Sequence, residues 1–388
     1  MPRPSLLYVV SGGMLILAAA VADAAQARPT AACARPTPRS RAVAEVVRLR
    51  ESPPPCRLVI EPTGRRVFDP SGAVLLDPSA FVVVRDTRGR LITRSSSEPG
   101  ELVVWSAEGT VLARFGRAGA GPGELAPGYM DLFVGPNHSV FVRDNNFRWT
   151  EFDSLYRFVR HHTVQSIDGQ WRRSGFLPDG RFLTSVWRDR SGTTHFRVGR
   201  IGAASFHEFG PVRGDVSEVS DVLTRAIAIS PDGSAWAAAG PGDPRGYLLE
   251  QWRPDGRLLQ SIERRPSWFR ARSTGADARE TRHPAIAQLH LDSSGVLLVV
   301  SSVANASWRA MRSAADRRAV RSQGIDVVID AIDTRSGSLL ASETFRAAGR
   351  PLPLLGLFPG TSLAYRYAED SASGEPYLEI LRYRLVAR

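Results

Sequence analysis

Ala80-Phe81-Val82-Val83-Val84-Arg85-Asp86-Thr87-Arg88-Gly89 is an apolar run that ends in a turn signal, and the chain repeats that arrangement five more times. Gly135-Pro136-Asn137, Pro178-Asp179-Gly180, Pro231-Asp232-Gly233, Asp292-Ser293-Ser294-Gly295 and Pro359-Gly360 each close a short apolar stretch in the same way. Asp and Asn side chains bond their own backbone and glycine accepts positive φ, so such clusters reverse a chain between two strands. Taking Asp86, Pro136, Asp179, Asp232, Asp292 and Pro359 as markers, successive signals lie 43 to 67 residues apart. A second set falls inside the repeats, at Glu108-Gly109, Asp153-Ser154, Gly202, Asp255-Gly256 and Ser336-Gly337. Each repeat then reads strand, turn, strand, loop, strand, turn, strand. Repeats of this length predict an all-β chain, a six-bladed β-propeller with four-stranded blades.

The sixth repeat supplies only three strands, Leu354 to Phe358, Ser362 to Tyr367 and Tyr377 to Leu385. The fourth is expected from the N-terminal side, at Arg57 to Ile60 or Arg66 to Phe68. That strand would close the ring and cover two open sheet edges. The propeller accordingly occupies residues 57–388. The fifth repeat carries an extra segment, Val303 to Gly324. Its Trp308, Met311, Ala315 and Val320 could form one face of a short helix, with Arg309, Arg312, Arg317, Arg318 and Arg321 mostly on the other. It reads either as a solvated insertion over the blade edge or as a partner-docking element.

Residues 1–27 have the order of a secretory signal peptide: Arg3, an apolar Leu6 to Val21, and small residues at Ala20-Val21-Ala22 and Ala25-Gln26-Ala27. An uncleaved membrane anchor is the alternative. An exported chain, periplasmic or extracellular, with no stable membrane span after processing is expected. Residues 28–56 are rich in Pro, Arg and Ala and read as an exposed lead-in, with a helical turn around Ala42 to Leu49. Cys33 and Cys56 are the only two cysteines and could pair in an oxidising compartment.

The formal charge of +11 rests entirely on arginine, since no lysine occurs among the 50 basic residues. Those arginines are scattered through every segment, whereas nucleic-acid binders gather charge in a patch beside a reading element. No nucleic acid is expected as a partner.

The segment Val111-Leu112-Ala113-Arg114-Phe115-Gly116-Arg117-Ala118-Gly119-Ala120-Gly121-Pro122-Gly123-Glu124-Leu125 joins the first repeat to the second. It resembles the inter-blade connection of NHL-type six-bladed propellers, in which Phe-Gly leads into a Gly-Pro-Gly-Glu turn. The motif residues are Gly116, Gly121, Pro122, Gly123 and Glu124, and Phe209-Gly210-Pro211 is a partial echo. The resemblance implies the fold over residues 57–388 and, for most of that family, a binding scaffold rather than an enzyme. Glu124 is placed to cap backbone N–H groups of the turn. No Gly-Lys-Ser/Thr follows, which excludes a phosphate loop.

Propeller enzymes work in the central channel. The inner strands here offer one acid, Asp131, beside Arg225, Gln288 and His290. Calcium wants six or more oxygen ligands, which one carboxylate does not begin to supply. For zinc, His283 and His290 flank one inner strand and are the pair to test, while the adjacent His161 and His162 point to opposite strand faces. No Gly-x-Ser-x-Gly elbow is present. Paired acids such as Asp326 and Asp330 read as solvated charges. Arg264-Arg265-Pro266-Ser267-Trp268-Phe269-Arg270 combines the residue types most enriched at binding hot spots. Its Arg265, Trp268, Phe269 and Arg270 either hold a ligand or fold into the junction of blades four and five. The sequence therefore favours a monomeric, non-catalytic binding propeller with no cofactor, for a protein, peptide or saccharide. The alternative is a metal-dependent hydrolase or lyase, lactonase-like, with calcium or zinc in the channel.

Overall fold

The computed structural model describes residues 33, 46–49, 53–72, 76, 83–128, 131–144, 146, 148–163, 173–188, 193–203, 205–213, 225–239, 246–269, 284–305, 325–346 and 356–388. Among them there is no α-helix, and every long element is a strand. Two strands precede the first repeat, β1 (Val46–Arg48) and β2 (Cys56–Val67). Blade one is β3 (Val83–Arg85), β4 (Leu91–Arg94), β5 (Leu102–Trp105) and β6 (Val111–Phe115). Blade two is β7 (Asp131–Val134), β8 (Val140–Arg143), β9 (Arg148–Phe152) and β10 (Phe158–Thr163). Blade three is β11 (Arg173–Phe176), β12 (Phe182–Arg188), β13 (Thr193–Gly199) and β14 (His207–Arg213). Blade four is β15 (Ile227–Ile229), β16 (Ala235–Ala238), β17 (Tyr247–Trp252) and β18 (Leu258–Arg264). Blade five is β19 (Ala285–Leu291), β20 (Val296–Ala304), β21 (Ile325–Asp333) and β22 (Ser338–Phe345). Blade six is β23 (Gly356–Leu357), β24 (Leu363–Glu369) and β25 (Pro376–Ala387), with β2 as its fourth strand.

Each blade is an antiparallel meander, and the first strands touch one another from β3 to β7, β11, β15 and β19, so they face the axis. The first turns of the blades form where Asp, Gly and Pro cluster. Asp86 Oδ1 accepts the N–H groups of Arg88 and Arg90 at 2.9 and 2.8 Å, and Oδ2 takes the Arg90 guanidinium at 2.7 Å. Gly89 completes that turn at φ 84°. The same Asp-x-x-x-Arg unit recurs at Asp144–Arg148 and Asp153–Arg157.

Six hydrophobic clusters fill the six seams between neighbouring blades. Seam one/two holds Ile92, Val104, Phe115, Leu132 and Phe152. Seam two/three is aromatic, with Phe133, Phe141, Trp149, Phe176 and Phe182. Leu183 and Phe196 meet Ala235 and Ala237 in seam three/four. Trp236 and Leu249 meet Leu289 and Val299 in seam four/five. Leu298 and Ile329 meet Leu357 and Leu381 in seam five/six. Phe358 and Leu378 meet Val103 and Trp105 in seam six/one, and Val67 of β2 joins them.

The N-terminal segment departs from the sequence expectation. Residues 46–48 are a strand rather than part of a helical turn, and β1 runs parallel to β18 as a fifth strand on blade four. Two consecutive valines favour that outcome once an edge is on offer. The two candidate fourth strands of blade six are one strand, β2, irregular between Pro62 and Arg66 and paired antiparallel with β25. Cys33 and Cys56 form a disulfide, and both are buried in seam five/six rather than exposed. Val303 and Ala304 belong to β20, Asn305 follows it, and 306–324 of the expected insertion lie outside the described residues. Residues 1–27, with the signal-like segment, lie outside them too.

We expect the disulfide to hold the lead-in against blades four to six. Replacing Cys33 and Cys56 with Ser together should lower stability to urea by about 2–4 kcal/mol, the usual contribution of such a cross-link. A change under about 0.5 kcal/mol would show that seam packing alone holds the segment.

Candidate functional site

The meander sorts the connections onto two ends of the ring. The turns after first and third strands lie at one end and are short, as at 86–90, 135–139 and 253–257. The links after second strands and between blades lie at the other end and include the longest segments, 265–284 and 305–324. This loop end carries the candidate site, and its floor is built from buried charges.

Asp131 opens β7 and pairs with Arg143 at the end of β8, directly across the ladder. Arg225, which precedes β15, has a wholly buried side chain and pairs with Glu250 of β17. Its Nε also donates to the Ala238 carbonyl at 2.6 Å, and its own N–H reaches Ser185 Oγ in blade three at 3.0 Å. The guanidinium lies 4.8 Å from the centre of the Phe196 ring, so it braces seam three/four. Arg264 at the end of β18 pairs with Asp330 of β21 across seam four/five. Asp330 Oδ2 also accepts the Tyr247 hydroxyl at 2.7 Å. Burial, and then the Asp330 charge, push the Tyr247 hydroxyl well above its ordinary range, so it stays a donor.

Trp268 and Phe269 fold over that triad. Both stand edge-on to Tyr247, at 6.2 and 5.3 Å, and Arg264 lies 5.7 Å from the Trp268 ring. They are partly buried in the seam four/five cluster. Arg265 is exposed and pairs with Glu263 at 2.6 Å. Hydrogen bonds from Arg265, and then from Arg48, hold the Glu263 carboxyl below the usual range. Arg270 and His283 lie outside the described residues.

His290 sits near the opposite end of its strand, in seam five/six. Its Nε2 lies 2.8 Å from the Thr361 carbonyl and 3.1 Å from the Tyr383 hydroxyl. Burial is the main cause holding its pKa below the ordinary histidine value. Asp131, Arg225 and His290 thus occupy three different places and do not converge. Among the described residues, no three His, Cys, Asp or Glu side chains gather as a metal set.

Sequence reasoning missed Arg143 and Glu250 and read Asp330 as a solvated charge, whereas it is fully buried and paired with Arg264. The signal for Asp330 was present, because it interrupts the apolar run Val327-Val328-Ile329-Asp330-Ala331-Ile332 in a strand it shares with buried neighbours. A lone charge inside such a run marks a buried partner rather than a solvated face.

The connector after β6 is held as its sequence suggests. Glu124 Oε2 accepts the Gly121 N–H at 2.7 Å, and Oε1 takes Arg117 at 2.8 Å. Arg148 reaches across to the carbonyls of Gly119, Ala120 and Glu124 at 2.8 to 3.1 Å. At Gly119, φ is 150° and an added Cβ would lie 2.1 Å from the Glu124 carboxylate, so only glycine fits.

No protein-family model matches the chain, and no curated protein matches it. Solved structures do. A protein of Bacteroides fragilis provisionally described as exported superposes with a TM-score of 0.52 at 11% identity, over 88% of this chain and 99% of its own. An inactive virginiamycin B lyase from Staphylococcus aureus with quinupristin gives 0.41 at 8% identity, over 84% and 99%. A protein of unknown function from Bacteroides caccae gives 0.38 at 13%, over 75% and 94%. At these identities the likeness is one of fold. Among the described residues, no helix is long and apolar enough to cross a membrane.

Two measurements test the bracing roles. Arg225→Met should destabilise by about 3–5 kcal/mol because it strands a buried Glu250, and adding Glu250→Leu should restore most of that. A full loss in the double variant would mean that the Arg225 contacts to Phe196, Ser185 and Ala238 dominate. For His290 the folded state disfavours the proton, so the unfolded chain binds more protons as pH falls below about 6.5. Stability contributed by neutral His290 should therefore be present above that pH and decline below it. His290→Gln should flatten the stability profile between about pH 7 and pH 5, and an unchanged slope would assign the decline to other groups.

Proposed function

We propose that this chain is an exported, monomeric six-bladed propeller of NHL type that binds a protein, peptide or saccharide at its loop end without catalysing a reaction. The observation that carries this reading is that the ionisable side chains best placed for channel chemistry are committed to partners within the protein. Asp131 is held by Arg143, Arg225 by Glu250, and His290 by Thr361 and Tyr383. A ligand that recruited one of them would have to break a buried pair and leave its partner uncompensated. The segment 264–272 is rich in arginine, a composition suited to recognition, while its Trp268 and Phe269 pack against seam four/five. The export part of the reading is supported by the disulfide and by the likeness to a protein described as exported. No cofactor is required.

Screening the purified chain against a glycan array and a peptide library, beside a form whose residues 270–283 are replaced by a short Gly-Ser link, tests the proposal. Ligands should be retained by the parent and lost by the replacement while both melt at the same temperature. Stoichiometric calcium or zinc that raises the melting temperature, together with hydrolysis of lactones or esters, would overturn it.

A further inference from the structure

We propose that the outer edge of blade four is a strand-addition site for an extended peptide of alternating apolar and basic residues, which residues 46–49 occupy in cis. The inference extends the binding reading above to a second surface. In that cis arrangement Val46, Val47 and Arg48 lie opposite Ser261, Ile262 and Glu263, and the Leu49 N–H donates to the Glu263 carbonyl at 2.9 Å. Val47 and Leu49 pack against the seam four/five cluster, as do Trp268 and Phe269. Arg48 lies between them in sequence and reaches Glu263 at 3.2 Å. The edge therefore reads every second side chain by burial against an apolar cluster and the one between by charge, which is how sheets recognise added strands.

The cis segment is a light occupant. Its paired register covers Ser261 to Glu263, whereas β18 runs from Leu258 to Arg264. Val46 is 51% exposed, and the Arg48 side chain is 79% exposed although it is paired. A longer strand of the same pattern would pair along the whole edge and would displace it. The occupant in trans is a segment of another protein rather than a second copy of this one. Within this chain β1 lies between Cys33 and Cys56, and their disulfide closes the segment into a loop anchored in seam five/six. A loop tied at both ends cannot cross to a neighbouring molecule as a free strand does.

A fluorescein-labelled peptide copying residues 44–51 is the probe, titrated against the whole chain and two variants that release β1. Val47→Asp/Leu49→Asp removes the apolar anchors, and Leu49→Pro removes the donor to Glu263. Both variants, checked for native melting, should bind the peptide about ten-fold or more tightly than the parent, because the cis segment no longer competes. Adding Glu263→Gln to either should weaken binding about two- to five-fold, and should leave unaffected a peptide carrying Gln in place of Arg48. In the unaltered chain, saturating peptide should speed hydrogen exchange of the amides of 46–49, a readout that needs no variant. Equal affinity for parent and variants, or unchanged exchange under saturating peptide, would overturn the proposal. Concentration-dependent dimers of the variants without peptide binding would also overturn it and assign the edge to a second copy. Retention of array ligands at the loop end in any of these cases would leave the binding reading standing by itself.

Discussion

A four-stranded blade can bury its two faces only against the blades beside it, so every core residue in this ring depends on a neighbour. The six clusters make that literal, since each draws its members from two adjacent sheets. Stability then rests on the interfaces between neighbouring blades as much as on any single repeat. The pairing of β2 with β25 matters for the same reason. It places the start and end of the propeller in one sheet, and Val67 carries that sheet into seam six/one.

The seams are not chemically alike. Seam two/three is a stack of aromatic rings, Phe133, Trp149 and Phe182 lying 4.9 to 5.4 Å apart in pairs. Three consecutive seams on the other side are crossed by polar contacts: Arg225 to Ser185, Arg264 to Asp330, and His290 to Tyr383. Apolar packing tolerates small slips between sheets, whereas a buried ion pair has one register in which it is satisfied. Two of these crossings lie in the seams beside β1, the disulfide and β2, where the register has to be kept for all three together.

What could be read from the sequence follows from how far apart the interacting residues are. The turns were legible because Asp86 meets Arg88 and Arg90, and every participant lies in one window. Glu124 and Gly121 belong to the same class. The Asp-x-x-x-Arg units also account for part of the arginine excess, since Arg90, Arg148 and Arg157 are spent on their own turns. Arg264 and Asp330 are separated by an entire inter-blade link, and nothing local in either segment names the other. Asp131 and His290 lie on inner strands and Arg225 two residues before one, but their partners were hidden by the same distance. The strand at Val46–Arg48 was missed for a different reason. Its pairing needs only an open edge, and the sequence of the lead-in does not say which edge is open.

These separations bear on where recognition can occur. At the hub, the floor is set by pairs such as Arg225–Glu250, whose disruption costs several kcal/mol before any ligand contact is made. That cost is avoided at the rim, where the exposed Arg48 and Arg265 share Glu263 in pairs that cost little to break. A rigid hub also serves the loops directly. Links anchored on strands whose register is fixed by buried charges present their side chains with less entropy to lose on binding. The same interactions that make binding at the hub costly therefore favour the surfaces around it.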